Sequence, residues 1–306
     1  MIAGARPVQG WRRALLGALG ELAGELAWLV RVRRGVVLSN LRLAFPDLGE
    51  AERRRIGRAS FKRLGRMAPE FLLAPRLSRE ELEGYFVYEG MDRLLAERAS
   101  GRGVIVCTGH FGPFELLAAV HALLGFPITM ITRRMGRSRL NDLWRGARAR
   151  AGVKELVARR GATLWAARRA LAEGRVLGYV IDQNQPLHRA IFPNFFGVKA
   201  ATSATPAVLA LRTGAKVFFA VALPREGGRH RLVVEGPLAP PSTGHRAADV
   251  LAFTQELNDR LERWVRAYPE QWYWLHRRFK TRPPGEGAPS GGPPPNAHVD
   301  RGGAKR

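Results

Sequence analysis

The chain has 306 residues, 46% of them hydrophobic, enough for one large globular domain or two small ones with an ample core. Its 50 Lys and Arg against 26 Asp and Glu leave a formal net charge of +24, which implies a polyanionic partner: nucleic acid, an anionic membrane surface or a phosphorylated substrate. The single cysteine, Cys107, excludes an intramolecular disulfide, and no P-loop, Gly-x-Ser-x-Gly elbow or zinc-type Cys/His cluster occurs.

The first element is the apolar stretch Leu15 to Val30. It is short and carries Glu21 and Glu25, whereas a spanning helix needs about 20 apolar residues with few charges. The two glutamates share one helical face, and Leu15, Leu19, Leu22, Leu26 and Leu29 run down another. Arg12 and Arg13 precede the stretch, Arg31, Arg33 and Arg34 follow it, and Trp11 and Trp28 stand near its ends. The pattern fits an amphipathic helix lying in a membrane interface, or a helix packed on the protein's own core. No small-residue cleavage pattern follows, which argues against a signal peptide.

A long helix is expected from Glu50 to Leu73, after the turn residues Pro46, Asp47 and Gly49. Ser78-Arg79-Glu80-Glu81 has the spacing of a capping box, and a further helix covers Met91 to Ala99. Strands and helices then alternate. Strands are expected at Gly103–Thr108, Pro127–Thr132, Glu155–Ala158, Val176–Ile181, Lys216–Leu223 and Arg231–Glu235. Helices are expected at Pro113–Leu124, Arg137–Ala151, Ala162–Ala172, Thr205–Arg212, Arg246–Ala267 and Glu270–Phe279. This order predicts an α/β fold: a mostly parallel central sheet flanked by helices, with an N-terminal membrane-associated helical segment. The Pro/Gly-rich stretch from Pro283 cannot bury enough apolar area to fold and reads as a disordered tail. The expected divisions are 1–35 for the membrane-associated helix, 36–282 for the main domain and 283–306 for the tail.

The segment Cys107-Thr108-Gly109-His110-Phe111-Gly112-Pro113-Phe114-Glu115 sits between an apolar strand and a helix. Pro113 suits a first helical turn, and Glu115 falls where the helix dipole favours a carboxylate. Residues five apart do not share a helical face, so His110 must lie on the preceding turn and fold back over Glu115 to touch it. Gly109 and Gly112 permit such a turn. The pair is either a catalytic dyad, histidine as base and carboxylate orienting it, or a helix-start carboxylate beside an uninvolved loop histidine. Cys107 reads as a buried strand residue rather than a nucleophile.

In open α/β sheets ligands bind outside the carboxyl ends of the strands. Arg133, Arg134, Arg159 and Arg160 fall near such ends, as does His110, so a basic rim around His110 is expected. Asp182-Gln183-Asn184-Gln185 follows another strand, where Asp182 either orients a substrate, holds a loop or simply forms a turn. The aromatic loop Phe192 to Gly197 suits an acyl-chain groove, a lipid surface or core packing. Gln271 to Phe279 mixes aromatics with arginines, as a membrane interface does. His276 has no carboxylate neighbour in sequence and reads as non-catalytic.

These motifs together resemble one family. His110-Phe-Gly-Pro-Phe-Glu115 is similar to the His-x4-Glu signature of the bacterial lipid A biosynthesis (lauroyl/myristoyl) acyltransferases, within the lysophospholipid acyltransferase superfamily. Asn40 to Pro46, Asp182-Gln183-Asn184 with Phe195-Phe196-Gly197 and Ala200-Ala201-Thr202, and Pro269 to Lys280 match further blocks in order. The resemblance runs from Val36 to Arg282. The chain departs from it in a shorter N-terminal region with two glutamates in its apolar helix, which favours monotopic attachment over a spanning anchor.

The resemblance implies a glycerol-3-phosphate acyltransferase-like fold. It implies transfer of an acyl chain from acyl carrier protein, or acyl-CoA, to a hydroxyl of a membrane glycolipid, most simply a lipid A precursor. His110 would be the general base and Glu115 its orienting carboxylate. Arg133 or Arg134, Arg160 and Asp182 match substrate-binding positions. Acyl carrier protein, anionic lipid and the glycolipid acceptor would be the partners. No cofactor or metal is required, since a thioester is already activated. The place would be the cytoplasmic face of the inner membrane, monotopic or peripheral. Acylation of another glycolipid or a lysophospholipid remains open on this reading. So do a basic nucleic-acid-binding protein, which the +24 charge suggests but no RNP-like or helix-turn-helix pattern supports, and a non-catalytic lipid-surface protein.

Overall fold

The computed structural model describes residues 10–133, 138–158, 162–225 and 229–287, with side chains from Arg13 onward. Helices α1 (Gly10–Leu29), α2 (Arg34–Ala44), α3 (Glu50–Leu73) and α4 (Arg79–Glu83) precede the first strand, β1 (Phe86–Glu89). The alternating part follows as α5 (Met91–Ala99), β2 (Val104–Thr108), α6 (Phe114–Leu123), β3 (Ile128–Thr132), α7 (Arg139–Arg150), β4 (Lys154–Val157), α8 (Ala162–Ala172) and β5 (Val176–Val180). Four two-residue strands come next: β6 (Ala190–Ile191), β7 (Asn194–Phe195), β8 (Val198–Lys199) and β9 (Thr202–Ser203). Then come α9 (Thr205–Thr213), β10 (Val217–Pro224), β11 (His230–Leu238) and α10 (Arg246–Ala267).

Seven strands form one sheet in the order β1-β11-β10-β2-β5-β3-β4. Five of them, β10 to β4 in that order, are mutually parallel, and the β11–β1 pair runs the other way. The expected α/β fold with a mostly parallel sheet flanked by helices is therefore the fold observed. All five residues of β2 are buried, because helices cover both faces and a two-sided strand reads as a continuous apolar run. Side chains alternate across it: Ile105 and Cys107 join the core under α2, α8, α9 and α10, while Val104 and Val106 join the core under α5, α6 and α7. Burial pushes the Cys107 thiol far above its ordinary pKa, consistent with an inert strand residue.

Helix α1 packs on the protein's own core along one face and leaves its leucines exposed along another. One face packs against α3 at close range: a Cβ on Gly20 would lie 2.3 Å from the Gly65 carbonyl oxygen. Across this seam Arg66 donates to Glu21 (2.9 Å) and Arg58 to Glu25 (2.6 Å), which explains the glutamates. The opposite face leaves Leu15, Leu19, Leu22, Leu26 and Leu29 each about half exposed. No described helix is long and apolar enough to cross a membrane.

Two expectations are corrected here. Glu270–Phe279 is not a helix: a short 3-10 turn at Pro269–Gln271 leads into irregular chain. That chain spends its backbone on another partner, as Gln271 O accepts from Gly112 N–H (2.8 Å) and Tyr273 N–H donates to His110 O (2.9 Å). Its aromatics do not meet a membrane interface either: Trp272, Trp274 and Arg278 are fully buried. Phe195 and Phe196 of the aromatic loop are likewise buried and stack in the core with Trp272, Trp274 and Phe279. The capping box at Ser78 is present as expected. The Pro/Gly-rich tail from residue 288 lies outside the described residues.

Candidate active site

Strands β2 and β5 are parallel neighbours, with Thr108 opposite Val180, so their carboxyl ends open side by side. His110 follows the first and Asp182 the second. His110 Nδ1–H donates to Asp182 Oδ1 at 2.7 Å, and His110 backbone N–H donates to Asp182 Oδ2 at 2.8 Å. The bond assigns the proton to Nδ1, since an ionised carboxylate can only accept. That leaves Nε2 as the basic nitrogen, and the Gln183 amide Nε2–H group caps it at 3.2 Å.

Asp182 is wholly buried, and burial opposes its charge. Burial is the largest single influence, but the His110 ring and the hydrogen bonds, including the one from Trp272 Nε1–H at 2.7 Å, together outweigh it, and the pKa is held well below the usual carboxylate range. The backbone is approached as well: His276 Nε2 lies 2.8 Å from Asp182 O, and its Nδ1 lies 3.0 Å from Tyr273 O. Burial pushes the His276 pKa down to about 4 despite the nearby Asp182 charge, so this ring stays neutral. His276 thus packs against the Asp182 backbone.

The turn carrying His110 is set by close approach. Gly112 has φ +54°, and a Cβ there would lie 2.0 Å from the Ala222 carbonyl oxygen. His110 lies on the loop before α6 and Glu115 in its first turn, as the spacing predicts. The expected contact between them is absent, so Glu115 does not orient His110 directly. Its carboxylate is buried and taken by Arg148, whose Nε donates to Oε2 at 2.9 Å and whose Nη2 donates to Oε1. Trp144 Nε1–H adds a third bond to Oε1 at 2.9 Å. Arg148 also reaches Glu155 Oε1 at 2.6 Å, so these charges tie α6 to α7 and β4. The carboxylate near in sequence meets an arginine, and the one 72 residues away meets the histidine.

The remaining candidates sort as follows. Arg133, at the carboxyl end of β3, donates from Nη2 to Asn184 O (2.8 Å), holding the loop after Asp182. Arg134, Arg159 and Arg160 lie outside the described residues. Asp182 has no exposed surface and bonds to the histidine. Asn40 donates to both Trp274 O and His276 O at 2.8 Å, tying α2 to the C-terminal segment. Sequence reading gave no role to Gln183 or Trp272. Their only signal was membership of blocks that flank strand ends.

Two small clefts lie near His110. One, of about 50 Å³, is lined in part by His110, Tyr273, Met67, Glu70 and His230. The other, of about 60 Å³ between α5, α6 and the sheet, is lined by apolar residues such as Leu117, Ile128, Met130 and Ala220. Phe114 lines both, with its ring centroid 4.8 Å from that of His110. His110 thus lines a cleft of mixed polar and apolar character, and Phe114 stands between it and the apolar one.

The chain is similar to three Escherichia coli (strain K12) proteins. It is 30% identical to the lipid A biosynthesis lauroyltransferase over 285 residues, covering 89% of this chain and 87% of that one. It is 28% identical to the palmitoleoyltransferase over 271 residues (88% and 86%) and 26% identical to the myristoyltransferase over 281 residues (90% and 83%). The family described as bacterial lipid A biosynthesis acyltransferase matches residues 7–281. The chain is an acyltransferase and belongs to that family.

Proposed function

We propose that this acyltransferase moves a fatty acyl group from a thioester, acyl carrier protein or acyl-CoA, to a hydroxyl of a lipid A precursor. His110 acts as general base and Asp182 orients it. The observation that carries the reading is the 2.7 Å bond from His110 Nδ1 to a buried, ionised Asp182, which leaves Nε2 to take a proton. The acceptor hydroxyl displaces the Gln183 amide from Nε2. Its oxygen attacks the thioester carbonyl carbon as its proton passes to Nε2, and Asp182 stabilises the imidazolium so formed. The tetrahedral centre then expels the thiolate, which takes the proton from His110. No covalent enzyme intermediate is needed.

The apolar cleft suits the acyl chain. Phe114 and His121, both among its lining residues, are seven residues apart on α6, about 10 Å along the helix axis. Gly178 and Ala220 leave space that a close-packed interior would otherwise fill. The exposed leucine face of α1, with arginines after it, supports peripheral attachment to an anionic membrane, at the cytoplasmic face where the donor resides. The test is incubation of purified protein with lauroyl-acyl carrier protein and a lipid A precursor. A product heavier by one acyl group is expected; an unmodified precursor refutes the reading.

A further inference from the structure

The cleft lined by His110 holds a second histidine–carboxylate pair that the chemistry above does not use. β10 runs parallel to β2, and the register places Pro224 at its carboxyl end opposite His230 at the start of β11. His230 therefore reaches the same edge of the sheet as His110, and both line one cleft. His230 is 5% exposed, its ring is stacked on Tyr85, and neither ring nitrogen has a hydrogen-bond partner. Its Nε2 lies 3.5 Å from Glu70 Oε2, too long for a good hydrogen bond. Glu70 projects into the cleft from α3, its other oxygen held by Arg66 Nε at 3.1 Å. Burial opposes the Glu70 charge, but His230 and Arg66 overcome it and hold the pKa below the ordinary value, so the carboxylate is ionised.

We propose that Glu70 and His230 form a subsite for hydroxyl groups on the sugar of the acceptor, a reading that rests on acyl transfer to a glycolipid. An ionised carboxylate accepts only, while an imidazole N–H donates. A hydroxyl both donates and accepts, so it can donate to Glu70 Oε2 while meeting a ring nitrogen of His230. A phosphate cannot, because it brings further acceptors and negative charge against Glu70. Tyr273, only partly buried, lines the same cleft and gives a ring a flat surface to lie against. The cleft runs beside α3, the helix on which α1 packs.

The experiment follows lauroyl-CoA incubated with a lipid A precursor, measuring acylated glycolipid and free fatty acid in the same reaction. Their ratio is independent of how much enzyme is folded. Glu70→Gln, and His230→Phe, which keeps a ring on Tyr85, are expected to lower the transfer-to-hydrolysis ratio about tenfold or more, as loss of a hydrogen bond to a charged or buried group would. A ratio unchanged from wild type, including equal falls in both products, overturns the subsite while leaving acyl transfer standing. Wild-type protein that acylates no glycolipid overturns the acyl-transfer reading and the subsite with it.

Discussion

His110 Nδ1 lies 2.7 Å from Asp182 Oδ1, although 72 residues separate them, while Glu115, five residues from His110, faces Arg148. Adjacent parallel strands bring the first pair together at their carboxyl ends. The second is held apart because Glu115 enters the first turn of α6, where a buried guanidinium takes both of its oxygens. The histidine therefore gains its orientation from the sheet and not from its own helix.

Asp182→Asn should cost activity and stability together. Asp182 accepts from His110 N–H, His110 Nδ1–H and Trp272 Nε1–H, and a carboxamide must turn its own N–H groups toward one of these donors. Transfer is expected to fall about 10²- to 10⁴-fold through loss of the correct tautomer. The native pKa of Asp182 lies below its ordinary 3.8, so its stabilising contribution is present above that value and is lost as pH falls through the native value. Urea unfolding of wild type and variant should therefore show a stability gap that is constant from pH 7 to 5 and shrinks only below about pH 4. A gap that closes between pH 7 and 5 would contradict this.

Glu115→Gln should act on the fold. It leaves Arg148 buried with Glu155 as its remaining carboxylate, and breaking such a pair costs about 3–5 kcal/mol. Arg148→Met in the Glu115→Gln background should recover part of that loss, since the uncompensated charge is then gone. A double-mutant cycle from urea melts checks this; additive losses would remove Glu115–Arg148 coupling from the account.

Gly178→Val should change which acyl chain is used. A Cβ at Gly178 meets Met130 Cγ at 3.4 Å, and the further methyl groups extend into the apolar cleft. The core tolerates such overpacking at a cost of about 1–3 kcal/mol. In competition among donors of graded chain length, preference is expected to move toward shorter chains. An unaltered preference would place the acyl chain elsewhere.

The outer face of α1 should govern vesicle binding. Replacing Leu15, Leu19, Leu22 and Leu26 by Ser leaves the Gly20–Gly65 seam intact, whereas deleting the helix would uncover α3. Sedimentation with vesicles containing anionic lipid is expected to weaken about a hundredfold or more, with the melting temperature little changed. Equal sedimentation of variant and wild type would show that the leucines do not meet lipid.

The central strands were legible because they are buried on both faces: Val104 to Thr108 announces itself as an unbroken apolar run. The long helix α3, α5 and the Ser78 capping box were equally plain, being fixed by local spacing. Strand β1 was not, since Phe86–Glu89 buries only one of its four residues and gains its partner, β11, from 144 residues away. The segment after Pro269 carries helix-compatible residues, yet its backbone pairs with the His110 loop, a choice made by tertiary contact. The histidine was legible from its place at a strand end. Its partner was not, because sequence order places Glu115 nearby and says nothing of β5 lying beside β2.

The central claim is that His110 Nε2, with Asp182 behind it, removes the acceptor proton. Single-turnover transfer by purified His110→Ala, shown by circular dichroism to be folded, tests it most directly. The predicted rate is about 10²- to 10⁴-fold below wild type, the usual contribution of a positioned general base. A folded variant that transfers at a near-wild-type rate would contradict it.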